Sequence, residues 1–210
     1  MSRLQVISPF AYLYLKQFSR LPRELEVEYV PVLFAGLLNH WEHKGPAEIP
    51  AKRIHTYRYC TWSAQKLGIP FRMPPAHPFN PLSSLRFFIA TGVTPEVIHS
   101  VFDFIFRDGR DVGDPAEWQA LTRVLGVSNA DQLIAEPAVK QRLIDNTNQA
   151  IAAGVFGVPT FECHGELFWG SDTIEWMKEF LSAPALFSSS EMQRLEALPM
   201  GAERSARRSV

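Results

Sequence analysis

The sequence is short of cysteine, of long apolar runs and of net charge, and each shortage removes a class of function. Two cysteines occur in 210 residues, Cys60 and Cys163, with no CxxC pair and no Cys/His zinc spacing. A disulfide scaffold, a structural zinc module and a dithiol redox motif are thereby excluded, and both cysteines are expected to pack rather than to attack. No stretch approaches the roughly 18–20 apolar residues of a membrane span, and no charged leader runs into an apolar segment. A cytoplasmic protein with no membrane partner is the expectation. Lys and Arg total 21 against 22 Asp and Glu, a net charge of −1, which leaves no basic footprint for nucleic acid. The expected partner is a small molecule or another subunit. His40, His43, His77, His99 and His164 share no metal-ligand spacing apart from the close pair His40 and His43, and no metal is assigned.

What is present is apolar and aromatic: 46% hydrophobic residues, including 15 Phe and 5 Trp, enough for a real core and incompatible with a disordered body. Residues 4–7 form a short apolar run that stops at Ser8-Pro9, after which Phe10, Leu13, Tyr14, Gln17 and Phe18 recur at helical spacing. That predicts strand, sharp turn, helix, with Ser8 as N-cap and Pro9 at the first helical position. Residues 24–29 alternate Glu with apolar residues and run into Val32, Leu33 and Phe34, which predicts a second strand, half exposed and then buried. The two strands and the helix make a βαβ unit with parallel strands.

From about residue 52 to 154 the pattern becomes helical. Residues 57–67 end at Gly68-Ile69-Pro70, Thr94-Pro95 opens a helix ending near Gly109, and Asp114-Pro115-Ala116-Glu117 reads as a capping box. Glu136-Pro137 starts another helix closed by Gly154. The strand pattern returns at residues 158–163 and 167–169 around His164-Gly165-Glu166, and Gly170-Ser171-Asp172 opens a last helix. The order is βαβ, a helical insertion, then ββα, an α/β thioredoxin-like domain of the DsbA-like kind. The expected organisation is residues 1–50 and 154–185 as the thioredoxin-like domain, 51–153 as the all-helical insertion, and 186–210 as a flexible polar C-terminal tail. The apolar insertion helices are a candidate homodimer face, which no residue pattern establishes.

In such sheets a ligand lies beyond the carboxyl ends of strands, near helix N-termini, which points first to Ser8. No base neighbours it in sequence and an unassisted hydroxyl is a poor nucleophile, so Ser8 is better suited to donate to an anion. If that anion is a thiolate, lowering it from about 8.5 to about 6.5 is worth ~2.7 kcal/mol. Taken alone, Ser8 reads first as a plain N-cap worth ~1 kcal/mol. Gly157-Val158-Pro159-Thr160-Phe161 puts a proline where an apolar run begins, at a strand start or edge, and either a trans or a cis peptide fits locally. A cis form leaves the Val158 backbone groups free for an extended ligand. Ser171-Asp172 is a second helix entry that suits a ligand carboxylate and amine, or simply caps.

Together these segments resemble the family of 2-hydroxychromene-2-carboxylate isomerases and kappa-class glutathione transferases. The resemblance is carried by Ser8-Pro9-Phe10-Ala11-Tyr12-Leu13, by Pro74 with Phe79-Asn80-Pro81-Leu82 and Leu85-Arg86, by Gly154-Val155-Phe156-Gly157-Val158-Pro159-Thr160-Phe161, and by Phe168-Trp169-Gly170-Ser171-Asp172. It implies glutathione as cofactor: Ser8 on the thiolate, Val158 and a cis Pro159 against the cysteinyl backbone, Ser171 and Asp172 at the γ-glutamyl end, and Lys52 near the glycyl end. Pro9, Phe10 and His43 fall on the side of an aromatic or electrophilic substrate. The implied activity is a glutathione-dependent isomerase interconverting 2-hydroxychromene-2-carboxylate and trans-o-hydroxybenzylidenepyruvate in aromatic degradation. A kappa-class-like transferase and a non-catalytic thioredoxin-fold binder are the alternatives. The sequence departs from the family at Gln5, where Asp is common, at His43, aligned with an Asn, and at His55 and Tyr59, where a Tyr and an Asp are usual. The first strand is also short, as a truncated start would leave it.

Overall fold

Four short strands are joined edge to edge by pairings that the βαβ and ββα halves each supply in part. The computed structural model describes residues 2–4 and 6–202. Strand β1 (Ser2–Leu4) enters helix α1 (Pro9–Leu15), and β2 (Tyr29–Pro31) returns parallel to β1 in the register Ser2↔Tyr29 to Leu4↔Pro31. After the helices come β3 (Thr160–Cys163) and β4 (Glu166–Trp169). β3 runs antiparallel to both β1 and β4, and the sheet order is β2-β1-β3-β4. This is the DsbA-like thioredoxin arrangement, a small sheet interrupted by a long helical segment.

The two expected N-terminal strands are shorter than their apolar patterns. Strand β1 is Ser2–Leu4 rather than residues 4–7, and β2 holds three residues where residues 24–34 read as a strand. β2 is an edge strand paired only across three positions. The Glu-alternating residues 24–28 lie outside that register and have no partner strand among the described residues. Phe34, read as strand, begins helix α2 (Phe34–His40); a short apolar run does not distinguish a buried strand from a buried helix.

The helical segment comprises α3 (Pro50–Leu67), α4 (Leu82–Ala90), α5 (Pro95–Phe102) continued by a π-helical turn Asp103–Arg107, α6 (Pro115–Val124), α7 (Ala130–Ala135) and α8 (Pro137–Ala152). The starts obey the local chemistry. Thr94 caps α5 by accepting from the Val97 N–H, and Asp114 caps α6 by accepting from the N–H groups of Ala116 and Glu117 at 2.9 Å. The reciprocal half of the expected box is not made there. The Glu117 carboxylate instead accepts from the Asp111 N–H at 2.6 Å and from Arg110 at 3.0 Å, because charged and backbone donors of the preceding loop are within its reach.

One core lies among α1, α3, α4, α5 and α6, with Leu13, Tyr12, Phe87, Phe88, Phe102 and Phe106 fully buried. A second joins β2, α2 and α8 through Val30, Val32, Leu37, Ala150 and Val155. Polar groups of α8 finish the end of β2: Asn146 donates to the Pro31 carbonyl at 3.1 Å, and Thr147 accepts from the Leu33 N–H at 3.0 Å. A Cβ on Gly36 would sit 2.9 Å from Thr147 Cγ2, so a glycine is what lets α2 approach α8. Helix α8, counted with the insertion by sequence, therefore packs directly on the sheet.

By contacts the chain divides into two compact units, residues 1–174 and 175–210. The second contains most of α9 (Ile174–Ser182), a 3-10 stretch Pro184–Ser188 and α10 (Ser190–Glu196). Part of the segment read as a flexible tail is thus helical. Ser189 caps α10 by accepting from the Met192 N–H, and Arg194 pairs with Glu191 one turn away at 2.7 Å. Among the described residues no helix is long and apolar enough to cross a membrane.

Candidate active site

Strand directions bring three of the sequence-predicted segments to one edge of the sheet. β1 leaves the ladder toward Ser8. β3 is antiparallel to it with Arg3 opposite Thr160, so the residues just before Thr160, Val158 and Pro159, lie at the end from which β1 exits. β4 pairs Trp169 with Thr160 and so delivers Gly170, Ser171 and Asp172 to the same end. Residues separated by some 150 positions in sequence converge because alternate strands reverse.

Ser8 has extended backbone (φ −89°, ψ 115°) and caps α1, its Oγ accepting from the Ala11 N–H at 3.3 Å. Pro9 occupies the first helical position, as its missing N–H predicts. With its lone pair engaged, the Ser8 hydroxyl keeps its proton to donate, and the residue is only 9% exposed. Phe10 in the first turn of α1 is half-buried, its ring 6.0 Å from that of Tyr59 on α3. Tyr59 in turn contacts His55 one turn before it and Trp62 one turn after it on the same helix face, so an aromatic surface adjoins the entry of α1.

The Val158-Pro159 peptide is cis. Val158 is buried in the second core and precedes the first ladder residue, Thr160. The turn is closed by Thr160 Oγ1 donating to the Gly157 carbonyl at 2.7 Å, and the Pro159 carbonyl accepts from the Gly170 N–H at 3.0 Å. A Cβ on Gly157 would fall 2.4 Å from the Trp169 indole nitrogen, which explains the glycine. Trp41, in the residue after α2, donates from Nε1 to the Val155 carbonyl at 2.9 Å and steadies the approach to this turn.

Ser171 and Asp172 do not open the last helix directly. They lie in a turn and α9 starts at Ile174. Gly170 has φ +98°, and a Cβ there would meet Asp172 Oδ1 at 2.5 Å, so the carboxylate folds back over the glycine. Thr173, from its hydroxyl, closes the turn onto the Gly170 carbonyl at 2.9 Å. Ser171 is half-buried and Asp172 exposed.

Lys52 stands exposed in the first turn of α3, and His43 is exposed in the loop after α2, where its N–H donates to the Leu38 carbonyl. Neither side chain has an ion pair among the described residues. Gln5 lies outside the described residues. Both cysteines are free and buried. Burial pushes the Cys60 thiol up to about 12 and raises Cys163, so neither is a thiolate at neutral pH.

Sequence reasoning missed the residues that support Ser8 from behind. The 14-residue connection between α3 and α4 crosses α1: the Tyr12 hydroxyl donates to the Pro70 carbonyl at 2.7 Å, and His77 Nε2 is 2.7 Å from the Ile7 carbonyl. Tyr57 on α3 holds His77 in turn, its hydroxyl 2.8 Å from both His77 Nδ1 and the His77 carbonyl. The signal available was His77 itself, a lone histidine beside a proline in a segment otherwise apolar and proline-rich.

Comparison with known proteins agrees with this architecture. A family model for a DSBA-like thioredoxin domain matches residues 4–182. The chain is 27% identical over 201 aligned positions to glutathione S-transferase kappa 2 of Caenorhabditis elegans, covering 85% of this chain and 89% of that protein. It is 24% identical to human glutathione S-transferase kappa 1, covering 84% and 87%. Among solved structures, a 2-hydroxychromene-2-carboxylate isomerase superposes with a TM-score of 0.76 at 20% identity over 94% of this chain and 98% of that one. The cytosolic disulfide reductase DsbM of Pseudomonas aeruginosa, solved with GSH, gives 0.56 at 17% identity over 93% and 98%. With a family model matched over residues 4–182 and a fold that agrees with it, the chain belongs to the family of DSBA-like thioredoxin domains.

Proposed function

We propose that this chain is a glutathione-dependent enzyme, and specifically an isomerase of the 2-hydroxychromene-2-carboxylate type. The observation that carries the reading is the convergence of Ser8, the Val158-Pro159 turn and the Ser171-Asp172 turn at one sheet edge. The residues fit glutathione. The Ser8 hydroxyl, with its proton free and its surroundings largely dry, donates to the sulfur; a preorganised donor to an anion is worth most where water is excluded. No cysteine occupies the turn, so the sulfur must come from the ligand. The Val158 backbone groups, set just outside the ladder by the cis Pro159, pair with an extended cysteinyl unit as an added strand would. Ser171 and the exposed carboxylate of Asp172 hold the γ-glutamyl ammonium end, and Lys52 the glycyl carboxylate.

Bound glutathione, its sulfur held by Ser8, would supply a thiolate nucleophile for the conjugated enone of a ring-opened aryl pyruvate and would not be consumed. Pro9, Phe10 and His43 border the substrate, and the Phe10–Tyr59 surface suits an aromatic ring. The reading includes a cytoplasmic homodimer. The kappa-class relatives favour a second reading, a transferase in which addition is not followed by elimination.

Two measurements test these readings. Thiolate absorbance of bound glutathione is followed against pH in wild type and Ser8→Ala; equal thiolate fractions at pH 7 in free and bound glutathione would sink the activation mechanism. Turnover of a hydroxychromene carboxylate is then monitored with glutathione at stoichiometric concentration. Isomerisation leaves the thiol titre constant, whereas loss of one glutathione per product selects the transferase.

A further inference from the structure

We propose that His77 is the positioning residue of the catalytic turn: it clamps the Ile7 carbonyl and thereby fixes where the Ser8 hydroxyl points. The role rests on the reading of Ser8 as the thiolate donor. A carbonyl only accepts, so His77 Nε2 carries a proton and donates to Ile7 at 2.7 Å. In the neutral ring Nδ1 is then an acceptor, and the single Tyr57 O–H, 2.8 Å from both Nδ1 and the His77 carbonyl, is shared between these two acceptors. The chain Tyr57, His77, Ile7 thus runs from α3 through the α3–α4 connection to the residue preceding Ser8. It spans 20 and then 70 positions in sequence.

The surroundings hold this arrangement. The Phe79 ring meets the imidazole edge-on at 6.0 Å and the Tyr57 ring does so at 5.3 Å, which fixes the plane of the ring. The titratable and charged groups around His77 are Tyr57 and Arg53, both on α3; the Ile7 carbonyl adds a backbone dipole. Burial keeps His77 below the ordinary histidine range, the Ile7 carbonyl opposes this, and Arg53 reinforces it. On the far side of Ser8, Tyr12 ties α1 to Pro70 of the same connection. The turn is therefore gripped on both sides, and a donor placed within a fraction of an ångström is what stabilisation of a localised charge requires.

The experiment uses the intact chain, glutathione as probe, and three variants. His77→Leu removes the clamp. His77→Gln keeps an N–H at the place of Nε2, and Tyr57→Phe removes only the support. With thiolate stabilisation present in wild type, His77→Leu is expected to raise the pKa of bound glutathione by about one unit, a tenfold loss in thiolate stabilisation. His77→Gln should recover most of it, and Tyr57→Phe should lose about threefold. A folded His77→Leu with the wild-type thiolate pKa overturns the proposal and leaves the role of Ser8 standing. Were wild type and Ser8→Ala alike to leave the thiolate unshifted, the proposed function itself would fall. Amide exchange then decides the clamp without any ligand: the Ala11 and Tyr12 N–H groups bond the Ser8 carbonyl at 3.0 and 3.3 Å. They exchange faster in His77→Leu if His77 holds the turn, and at the wild-type rate if it does not. If His77→Leu fails to fold, Tyr57→Phe is read out in the same ways.

Discussion

Two serine turns end strands at the same sheet edge, and they are built differently. The Ser8 turn is buried and fastened from a distance, by His77 on the Ile7 carbonyl and Pro70 on the Tyr12 hydroxyl. The Ser171 turn is fastened locally, by Thr173 onto the Gly170 carbonyl and by a glycine at φ +98° that lets Asp172 fold back. One leaves Asp172 exposed and the other leaves Ser8 almost dry. The difference teaches a division of labour: a buried, rigid donor suits charge stabilisation, and an exposed carboxylate suits recognition of a ligand end that never reacts.

The strongest way to break this comparison is Ser8→Ala. Loss of one preorganised donor should lower kcat/KM about 100-fold and return the bound thiolate toward about 8.5. Chemical denaturation should show only ~1 kcal/mol lost with the cap. A variant with unchanged thiolate would contradict the assignment. Next in size, Asp172→Asn should raise the KM for glutathione about tenfold while the thiolate pKa stays put, since binding lost equally in ground and transition states leaves kcat alone. If Asp172→Asn moved the thiolate as far as Ser8→Ala does, the two turns would not differ in role. Gly170→Ala sharpens the local side of the contrast. A Cβ at this positive φ, 2.5 Å from Asp172 Oδ1, should cost about 1–3 kcal/mol in thermal or urea unfolding and weaken glutathione binding several-fold.

The smallest expected effect concerns pH. Burial lowers the folded-state pKa of His77, so the unfolded chain takes up the proton first as pH falls through about 6.5. The unfolded state then binds more protons, and stability is full above that pH and declines toward the lower folded pKa. His99 is lowered in the same direction by burial and then by Lys16, so the share of His77 is read as the difference between wild type and His77→Gln. That difference curve should slope below pH 6.5 and lie flat above it; a flat curve throughout would mean that His77 titrates normally.

Much of this was legible along the chain because it is local. Ser8 before Pro9, Thr94 before Pro95 and Asp114 before Pro115 announce helix starts, since a cap and its recipient N–H lie two or three residues apart. The hairpin at His164 and Gly165, both at positive φ, was legible in its glycine, although Glu166 proved to belong to β4. Strand length was not legible, because residues 24–28 look like a strand and lack a partner in the register. Nor was the boundary at Phe34, where an apolar run becomes α2 once α8 is available to cover it.

The sequence by itself determined the order of elements, the position of Ser8 at a helix start and the absence of a cysteine there, because each depends on neighbours within a few residues. The tertiary structure alone decided that Ser8, Pro159 and Asp172 share an edge and that His77 reaches Ile7. Those relations depend on strand pairing and on a connection that crosses α1, and contacts between residues 70 or 150 apart leave no trace in local spacing.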